Sequence, residues 1–558
     1  MENNRRGFLQ KLVLITSAAG LSQVIPAKSL AKSYKLVSEG GVVASPANAV
    51  VDTTAGKVKG YTRNKIYTFK GIPYAESTAG ANRFLPPVKV VKWEGVRNTL
   101  VYGPICPQKQ NTGWFQPEYG FLYQWIDGLH HEDCLRLNVW SPEIKDGKKR
   151  PVMFWMHGGG FTTGSSQEHP SYDGENLCHL GDVVVVSINH RLNAFGHMDL
   201  SAYGDKYAKS ANVGMLDIVA ALEWVRDNIG NFGGDQNNVT IYGQSGGGTK
   251  VITLMAMPAA KGLFHKAIAQ SNSIVQVATP AYAQKLTSLI LTELKIDKSN
   301  IDSLQNIPAI EIIAATAAAE KKMGGTVPAD VGRSGLQPVV DGVVLPHHPF
   351  DPGAPAISAN VPFMVGTTRN EASASIDTAV IENISEDELK AKVLVKYPNK
   401  GAAVYAAMRK IHPDTKPVEI LSFLSAQNPI AFLQAQRKSA QKGADVYLYM
   451  FAWHTPVLDG RPRAFHCSEI PFVFGNTDKC ENYTGSSAEA KKLSTKMAQA
   501  WISFARNGNP NHPGLPAWPS FNKQMGAMMI FNNTCEVKVD PDGEARQILE
   551  RVYYNKEA

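Results

Sequence analysis

In the stretch VTIYGQSGGGTK, Val239 to Lys250, an apolar run leads into a cluster of glycines. It nearly matches the phosphate-loop pattern G-x-x-x-x-G-K-[S/T], and it also contains G-x-S-x-G centred on Ser245. A phosphate loop needs its lysine directly after the last glycine, where it reaches the nucleotide phosphates. Here Thr249 precedes Lys250, so we interpret the stretch as the sharp strand-to-helix turn that exposes a nucleophilic serine.

The segments around this turn alternate between strand and helix patterns. Apolar runs of strand length occur at LRLNVWS, PVMFWMH and DVVVVSIN, as expected for strands that helices cover on both faces. The stretch GMLDIVAALEWVRDNIGNFGG places apolar residues at helical spacing and ends in glycines suited to a helix terminus. The N-terminal AVVDTTAGKVKGYT predicts two short strands, and helix-forming sequence fills the region after Thr279. This order predicts an α/β fold with a large, mostly parallel sheet, a small N-terminal sheet and helical insertions.

Composition excludes several classes of protein. The chain has 558 residues, and its 57 basic and 49 acidic residues are interleaved, so the net charge of +8 forms no basic stripe. Nucleic-acid binding is therefore not expected. The six cysteines include no C-x-x-C pair, which removes the spacing typical of a zinc ribbon. We predict neither a metal nor a cofactor.

The N-terminal sequence MENNRRGFLQKLVLITSAAG combines a twin arginine with a short apolar run. It predicts a twin-arginine export signal over residues 1–31, with cleavage after Ala27 or Ala31, and hence a periplasmic or secreted protein. An uncleaved anchor helix is the alternative, but the run is only about half of the ~20 residues that a span needs. A lead segment, 32–48, precedes one domain over 49–558, in which no other run is long enough to cross a membrane.

A serine nucleophile needs a base, an acid that orients the base, and donors for the oxyanion that develops on the substrate. The donor candidate is HGGGF, which begins at His157 directly after the apolar run PVMFW. Consecutive glycines leave backbone amides unshielded and able to point into a cavity. A simple glycine turn is the alternative, and the position after a strand and the nearby G-x-S-x-G both count against it.

Many ordered motifs connect the sequence with one family. They include FKGIPYAE, NRFLPP, EDCLRLNVW, HGGGF, NVGMLD, GQSGGG, PVVDG, VGTTRNEAS and FHCSEIPFVFG, and they span nearly the whole chain after the export signal. With these motifs the sequence resembles the type-B carboxylesterases, which include cholinesterases and bacterial para-nitrobenzyl esterases. The resemblance implies an α/β-hydrolase fold and hydrolysis of small-molecule carboxylic esters through an acyl-enzyme.

The resemblance also assigns catalytic roles to three residues. It implies that Ser245 is the nucleophile, Glu371 in GTTRNEA the acid, and His466 in AFHCSEIPF the base. Their order along the chain is the one expected on an α/β-hydrolase scaffold. Because His466 must be neutral to accept a proton, activity is expected to fall as the pH drops through about 6–7.

The oxyanion donors implied by the resemblance are the amides of Gly159, Gly160 and Gly246. The sequence departs from the family pattern here, since Gly246 replaces an alanine and Gln244 replaces a glutamate. Either glycine or alanine at position 246 is expected to preserve the amide donor. Gln244 removes a carboxylate near the base, which leaves open the pKa of the base and any preference for cationic substrates.

The resemblance gives structural roles to three further pairs of residues. They are a disulfide and two buried ion pairs: Cys106 with Cys134, Arg83 with Glu132, and Arg191 with Asp217. Cys480 with Cys535 is a second candidate disulfide, and Cys178 and Cys467 are candidates for free thiols.

The loop between the first two cysteines contains WFQPEYGFLYQW, Trp114 to Trp125. In the family that the sequence resembles, this loop lines the entrance to the active site, which favours esters with aromatic or apolar groups. The rings would serve equally well to anchor the loop to the core. A binding protein on the same scaffold, with no hydrolytic activity, is the remaining alternative, and the retained serine, glutamate and histidine disfavour it.

Overall fold

The structure is a computed structural model that describes residues 41–109, 116–324 and 331–554. The chain divides into a short N-terminal unit, Met1–Val42, and a unit that spans Val43–Ala558. The predicted export signal, 1–31, lies outside the described residues, as does the lead segment up to residue 40. The elements described below all belong to the second unit.

The strands of the described ranges form two sheets. In chain order they are β1 Val50–Asp52, β2 Lys57–Lys59, β3 Tyr61–Arg63, β4 Ile66–Pro73, β5 Val96–Asn98, β6 Arg136–Ser141, β7 Arg150–Met156, β8 Val184–Ile188, β9 Gly234–Gln244, β10 Lys266–Gln270, β11 Phe363–Thr368, β12 Val446–Phe451, β13 Ala527–Phe531 and β14 Glu536–Val539. The small sheet has the order β1-β2-β5, and the large one has the order β14-β13-β12-β11-β10-β9-β7-β8-β6-β4-β3.

The large sheet is parallel in its middle and antiparallel at both ends. Strands β8, β7 and β9 to β13 pair in parallel, whereas β14 and the group β6, β4 and β3 pair antiparallel to their neighbours. This confirms the predicted α/β-hydrolase fold with a mostly parallel central sheet and a small N-terminal sheet.

Helices cover the large sheet and continue into insertions at its edge. Those of the described ranges are α1 Pro117–Tyr123, α2 Glu175–Gly181, α3 Asn193–His197, α4 Val213–Asn228, α5 Gly246–Ala256, α6 Pro280–Glu293, α7 Ala309–Met323, α8 Glu386–Lys396, α9 Gly401–Ile411, α10 Pro417–Phe423, α11 Gln427–Ser439, α12 Ile470–Phe474, α13 Glu481–Thr484, α14 Ala488–Asn507 and α15 Gly543–Tyr554. None of these helices has both the length and the apolar composition needed to cross a membrane.

The continuous apolar runs of the sequence become strands that are buried on both faces. Every residue of β7 is buried, and its side chains alternate between two cores. Val152 and Phe154 belong to the core that includes α4 and α5, whereas Met153 and Trp155 belong to the core that includes α14. Such two-sided burial is the reason that the run lacks the polar alternation of a half-exposed strand.

Three of the parallel strands end at the same edge of the sheet. Strand β9 ends at Gln244, β11 at Thr368 and β12 at Phe451. In open α/β sheets, ligands bind outside the carboxyl ends of the strands. The segments that directly follow these three strands therefore define the candidate site.

Candidate active site

Ser245 lies at the turn between β9 and α5, in a backbone conformation that side chains rarely adopt. Its φ is 57° and its ψ is −120°, and its amide donates a 2.8 Å hydrogen bond to the carbonyl of Gln270. Positive φ at a residue with a side chain is a typical sign of a constrained functional turn. A Cβ on Gly247 would stand 2.1 Å from the carbonyl oxygen of Met156, so the close approach of helix and strand requires glycine there.

The candidate acid and base meet because the segments after β11 and β12 pair with each other. Asn370 forms an isolated parallel bridge with Phe465, which places Glu371 beside His466. A Glu371 oxygen, Oε2, is hydrogen bonded with Nδ1 of His466, and the other, Oε1, accepts the amide of Thr368 at 2.9 Å. The Glu371 side chain is 1% exposed, so its carboxylate is fixed on both sides.

The surroundings of His466 change its expected pKa. Burial alone lowers the pKa of this imidazole, but the charge of Glu371 and its hydrogen bond raise it, and the net result lies above the ordinary value of 6.5. An adjacent carboxylate stabilises the protonated ring. Because the ring then becomes neutral only at a higher pH, we expect the loss of activity in acid to begin above the pH of an ordinary imidazole.

Gln244 and Cys467, neither of which has a catalytic role assigned from the sequence, contact each other beside His466. The Gln244 amide nitrogen lies 3.4 Å from each ring nitrogen of His466, and the Cys467 thiol donates a 3.1 Å hydrogen bond to the Gln244 amide oxygen. Among the described residues, the Ser245 hydroxyl has no hydrogen bond to His466. The Gln244 amide thus lies beside the imidazole to which a nucleophilic serine would pass its proton.

The three glycines predicted to bind an oxyanion lie next to one another. Gly159 and Gly160 have φ values of +74° and +65°, and within the described ranges the amides of Gly159, Gly160 and Gly246 donate no backbone hydrogen bond outside helices and strands. A Cβ on Gly246 would stand 2.3 Å from the carbonyl oxygen of Gly160. An alanine at position 246 would therefore require the loop 157–160 to shift, although it would keep the backbone amide that the sequence predicts as an oxyanion donor.

Lys250, for which no role was predicted from the sequence, is hydrogen bonded to this loop and supports it. Its ammonium group is fully buried on α5 and donates hydrogen bonds to the carbonyls of His157, at 2.9 Å, and Gly158, at 3.5 Å. Burial lowers the pKa of Lys250 to about 7, while Glu168 opposes this shift and Arg333 adds to it. The lysine that excluded a phosphate loop is thus a structural link between α5 and the loop 157–160.

The two ion pairs named from the sequence lie beneath the surface. The Arg191 guanidinium donates two hydrogen bonds, of 2.7 and 2.8 Å, to the Asp217 carboxylate, and the two side chains are 2% and 0% exposed. Arg83 is hydrogen bonded with Glu132 and donates further bonds to the carbonyls of Leu304 and Ile307. Removal of one partner of such a buried pair typically costs about 3–5 kcal/mol.

The cysteines differ from the expectation. Cys106 and Cys134 are buried free thiols in the structure, where the sequence predicts a disulfide. The two groups are nevertheless neighbours, because a hydrogen bond with Cys106, together with burial, raises the pKa of the Cys134 thiol well above 9.0. The structure shows no bond between these two sulfurs, and it likewise shows Cys480 and Cys535 unbonded.

The aromatic loop is partly anchored by its own rings. Trp114 and Phe115 lie outside the described residues. Tyr119, Tyr123 and Trp125 form a stack with centroid separations of 5.6 and 4.7 Å. The Tyr123 hydroxyl donates a 2.7 Å hydrogen bond to the backbone carbonyl of His466, so at least this ring ties the loop to the segment of the base.

Comparison with known proteins shows similarity to carboxylesterases over most of the chain. The model of the carboxylesterase family matches residues 47–548. The para-nitrobenzyl esterase of Bacillus subtilis (strain 168) is 36% identical over 90% of this chain and 98% of its own length. The phenmedipham hydrolase of Pseudarthrobacter oxydans is 32% identical over 87% of this chain and 95% of its own.

Solved structures show the same relationship. An esterase from the anaerobe Clostridium hathewayi, described as able to hydrolyse aliphatic aromatic polyesters, matches with a TM-score of 0.79 and 36% identity over 92% of this chain and 99% of its own. A carboxylesterase from Geobacillus stearothermophilus matches with a TM-score of 0.74 and 35% identity over 90% of this chain and 100% of its own. With its α/β-hydrolase fold and this extent of similarity, the chain belongs to the carboxylesterase family and is a carboxylic ester hydrolase.

Proposed function

We propose that this hydrolase cleaves carboxylic esters through an acyl-enzyme on Ser245, with His466 as the base and Glu371 as the acid that orients it. The observation that carries the proposal is the contact of Glu371 with His466 at the sheet edge where Ser245 follows β9. A carboxylate bonded to Nδ1 leaves Nε2 free of a proton and able to accept one.

The reaction follows from these positions in two steps. The Ser245 oxygen attacks the ester carbonyl carbon while Nε2 of His466 takes the hydroxyl proton. The amides of Gly159, Gly160 and Gly246 bind the resulting oxyanion. Collapse of the intermediate breaks the bond to the alcohol, which leaves with the proton from His466. Water then attacks the acyl group by the same route, and the carboxylic acid departs.

We further propose esters with an aromatic or apolar group as substrates. Support comes from the stacked rings of Tyr119, Tyr123 and Trp125 next to the His466 segment. The names of two relatives point the same way, since one is a para-nitrobenzyl esterase and another is described as acting on aliphatic aromatic polyesters. A panel of esters with matched aliphatic and aromatic alcohols tests this preference.

Export is part of the same proposal. Its support is the twin arginine, Arg5 and Arg6, followed by a short apolar run. An oxidising compartment would also allow Cys106 and Cys134 to form the predicted disulfide. We expect the full chain to fractionate with the periplasm or medium and its Arg5→Lys/Arg6→Lys variant to stay in the cytoplasm. The mass of the exported form is expected to increase by two hydrogens when the disulfide is reduced.

The acyl-enzyme is tested with Ser245→Ala and a matched control. Removal of the nucleophile is expected to lower kcat by at least about 10,000-fold on a short-chain aryl ester. The control is Ser468→Ala, because this buried hydroxyl lies two residues from His466 and has no hydrogen-bond partner among the described residues. Wild-type rates in Ser245→Ala would overturn the proposal, whereas Ser468→Ala is expected to remain active.

A further inference from the structure

A cavity of about 530 Å³ opens beside the oxyanion loop, outside the catalytic groups described above. Its described walls include Thr162, Tyr282, Glu320, Met323, Arg333 and Ser334. Thr162 belongs to the turn that follows Gly160, and its amide is bonded to the carbonyl of Gly159. One wall of the cavity is therefore continuous with the loop that we assign to the oxyanion.

Arg333 brings a positive charge against this loop. Nη1 and Nη2 of its guanidinium lie 2.4 and 2.8 Å from the position that a Cβ on Gly160 would occupy. The backbone of Gly160 also packs on Gly246, the neighbour of Ser245. The guanidinium is thus separated from the nucleophile turn by the backbone of a single residue.

The positive charge of Arg333 is not neutralised by a direct partner within the described ranges. Its guanidinium makes no ion pair or hydrogen bond there, although Glu320 is near enough to stabilise its charge. Burial disfavours the charged form, but an arginine remains protonated in proteins. A guanidinium that is largely buried and unpaired has an unmet requirement for an anion.

Tyr282 supplies a second donor to the same cavity. Its hydroxyl oxygen accepts a 2.9 Å hydrogen bond from the amide of Gly335, and its proton has no acceptor among the described residues. The charged side chains that line the described walls are Arg333, Lys321 and Glu320, which together give one net positive charge. A guanidinium fork with a neighbouring phenol hydroxyl matches the two oxygens of a carboxylate.

We propose that Arg333 and Tyr282 form a carboxylate-binding subsite, which makes esters with a free carboxylate, such as half esters of dicarboxylic acids, preferred substrates. This inference rests on the proposed function, because it takes the reacting carbonyl to lie at Ser245 with its oxygen at Gly160. A carboxylate on either the acyl or the alcohol part could reach the cavity, and the substrates chosen below distinguish the two.

The test compares charged and neutral esters of the same shape. Monoethyl glutarate carries the carboxylate on the acyl part, and ethyl 5-methylhexanoate replaces it with an isopropyl group. The butanoyl ester of 3-hydroxypropanoic acid carries the carboxylate on the alcohol part, and its neutral partner is 3-methylbutyl butanoate, which has an isopropyl group at that position. The quantity measured is the ratio of kcat/KM for each charged ester to that for its neutral partner.

In Arg333→Met the ratio for one of these pairs is expected to fall by about 10- to 100-fold, because a charge-assisted hydrogen bond is lost. Hydrolysis of the neutral esters is expected to stay within about threefold, since they make no such bond. Arg333→Lys keeps the charge and is expected to retain part of the preference, and Tyr282→Phe is expected to lose a smaller part. Lys321→Met, which removes an exposed charge from the same cavity, is expected to change the ratio by less than about twofold.

The possible outcomes separate this inference from the proposed function. If the wild type cleaves neutral esters, Ser245→Ala does not, and Arg333→Met leaves both ratios unchanged, the subsite is wrong and the acyl-enzyme proposal stands. If Ser245→Ala still cleaves the neutral esters, the proposed function is wrong. If Arg333→Met loses activity on charged and neutral esters equally and also unfolds at a lower temperature, Arg333 is structural. Tyr282→Phe then decides: the subsite stands if this variant lowers the ratio with an unchanged Tm, and it is rejected if the ratio stays the same.

Discussion

The two halves of the active site are built in different ways. The oxyanion half consists of backbone packed on backbone, where Gly160 and Gly246 lie so close that no Cβ fits between them. The acid-base half consists of side chains, where Glu371 and Gln244 contact the ring of His466. The oxyanion half therefore requires that no side-chain atom stands between Gly160 and Gly246. The acid-base half requires particular charged or polar side chains around His466.

This difference has consequences for what each half tolerates. A changed side chain near His466 alters a pKa and leaves the backbone in place. An added methyl group at Gly246 must move the loop itself, and with it the amides that bind the oxyanion. We therefore expect substitutions in the oxyanion half to act on kcat at every pH, and those in the acid-base half to act on the pH dependence.

The largest effect is expected from Gly246→Ala. Its Cβ would stand 2.3 Å from the Gly160 carbonyl oxygen, so the loop must shift, and loss of one oxyanion donor typically lowers kcat by about 100-fold or more. The control is Gly230→Ala, because no atom lies within 4 Å of the position of its Cβ and its φ is not positive. Steady-state kinetics of both variants check the expectation, and a Gly246→Ala enzyme within about threefold of the wild type would contradict it.

A smaller loss is expected from Lys250→Met, which removes the support below the oxyanion loop. The bonds to the His157 and Gly158 carbonyls are lost, and we expect kcat to fall by about tenfold with little change in KM. Lys438→Met is the matched control, because this buried lysine also donates to a backbone carbonyl, that of Ala359, and burial lowers its pKa to about 8. Equal losses of kcat in both variants would show that Lys250 acts only through stability, which thermal unfolding measures separately.

The acid side of the pH profile provides the next test. His466 must be neutral to act as a base, and its pKa is raised above 6.5, so activity is expected to fall as the pH drops through a value higher than 6.5. The same shift favours the protonated ring in the folded chain, so its contribution to stability is present at low pH and is lost as the pH rises through the raised pKa. Measurement of kcat/KM against pH checks the first point, and an inflection at or below 6.5 would contradict the account.

Gln244→Glu is expected to have the smallest effect on the maximum rate and a clear effect on its pH dependence. The new carboxylate would lie near both ring nitrogens of His466 and would raise the pKa of the ring further. The pH at which activity falls in acid should move to a higher value. At pH values above this fall, the rate is expected to stay within about threefold of the wild type. A fall at an unchanged pH would mean that the side chain at position 244 does not act on the base.

Much of the fold could be predicted from the sequence, because two-sided burial and helix periodicity are local properties. The runs that became β6 to β9 and the helix α4 are examples. The antiparallel ends of the sheet could not be predicted, since the pairing of β6 with β8 and of β13 with β14 depends on contacts between distant segments. Apolar runs give the existence of a strand and not its direction.

The candidate site also contains some residues whose roles could be predicted from the sequence and others whose roles could not. Ser245 could be located because it lies in a motif that follows a strand, whereas Glu371 and His466 could be located only through the family that the sequence resembles. The roles of Lys250 and Arg333 could not be predicted, because Lys250 bonds to carbonyls more than 90 residues away in the chain and Arg333 meets Gly160 and Tyr282 only in the folded chain. The structure also argues against the phosphate-loop alternative. The only lysine of the turn, Lys250, is fully buried and bonded to the carbonyl of His157, so it is not available to a phosphate.

The central claim is that Ser245 carries the acyl group. The most direct measurement is labelling of the folded chain with a fluorophosphonate, followed by mass spectrometry of the intact protein and of its peptides. We predict a single adduct per chain on the peptide that contains Ser245, loss of hydrolysis in proportion to labelling, and no adduct in Ser245→Ala. An adduct on another residue, or an unlabelled chain that still hydrolyses esters, would contradict the claim.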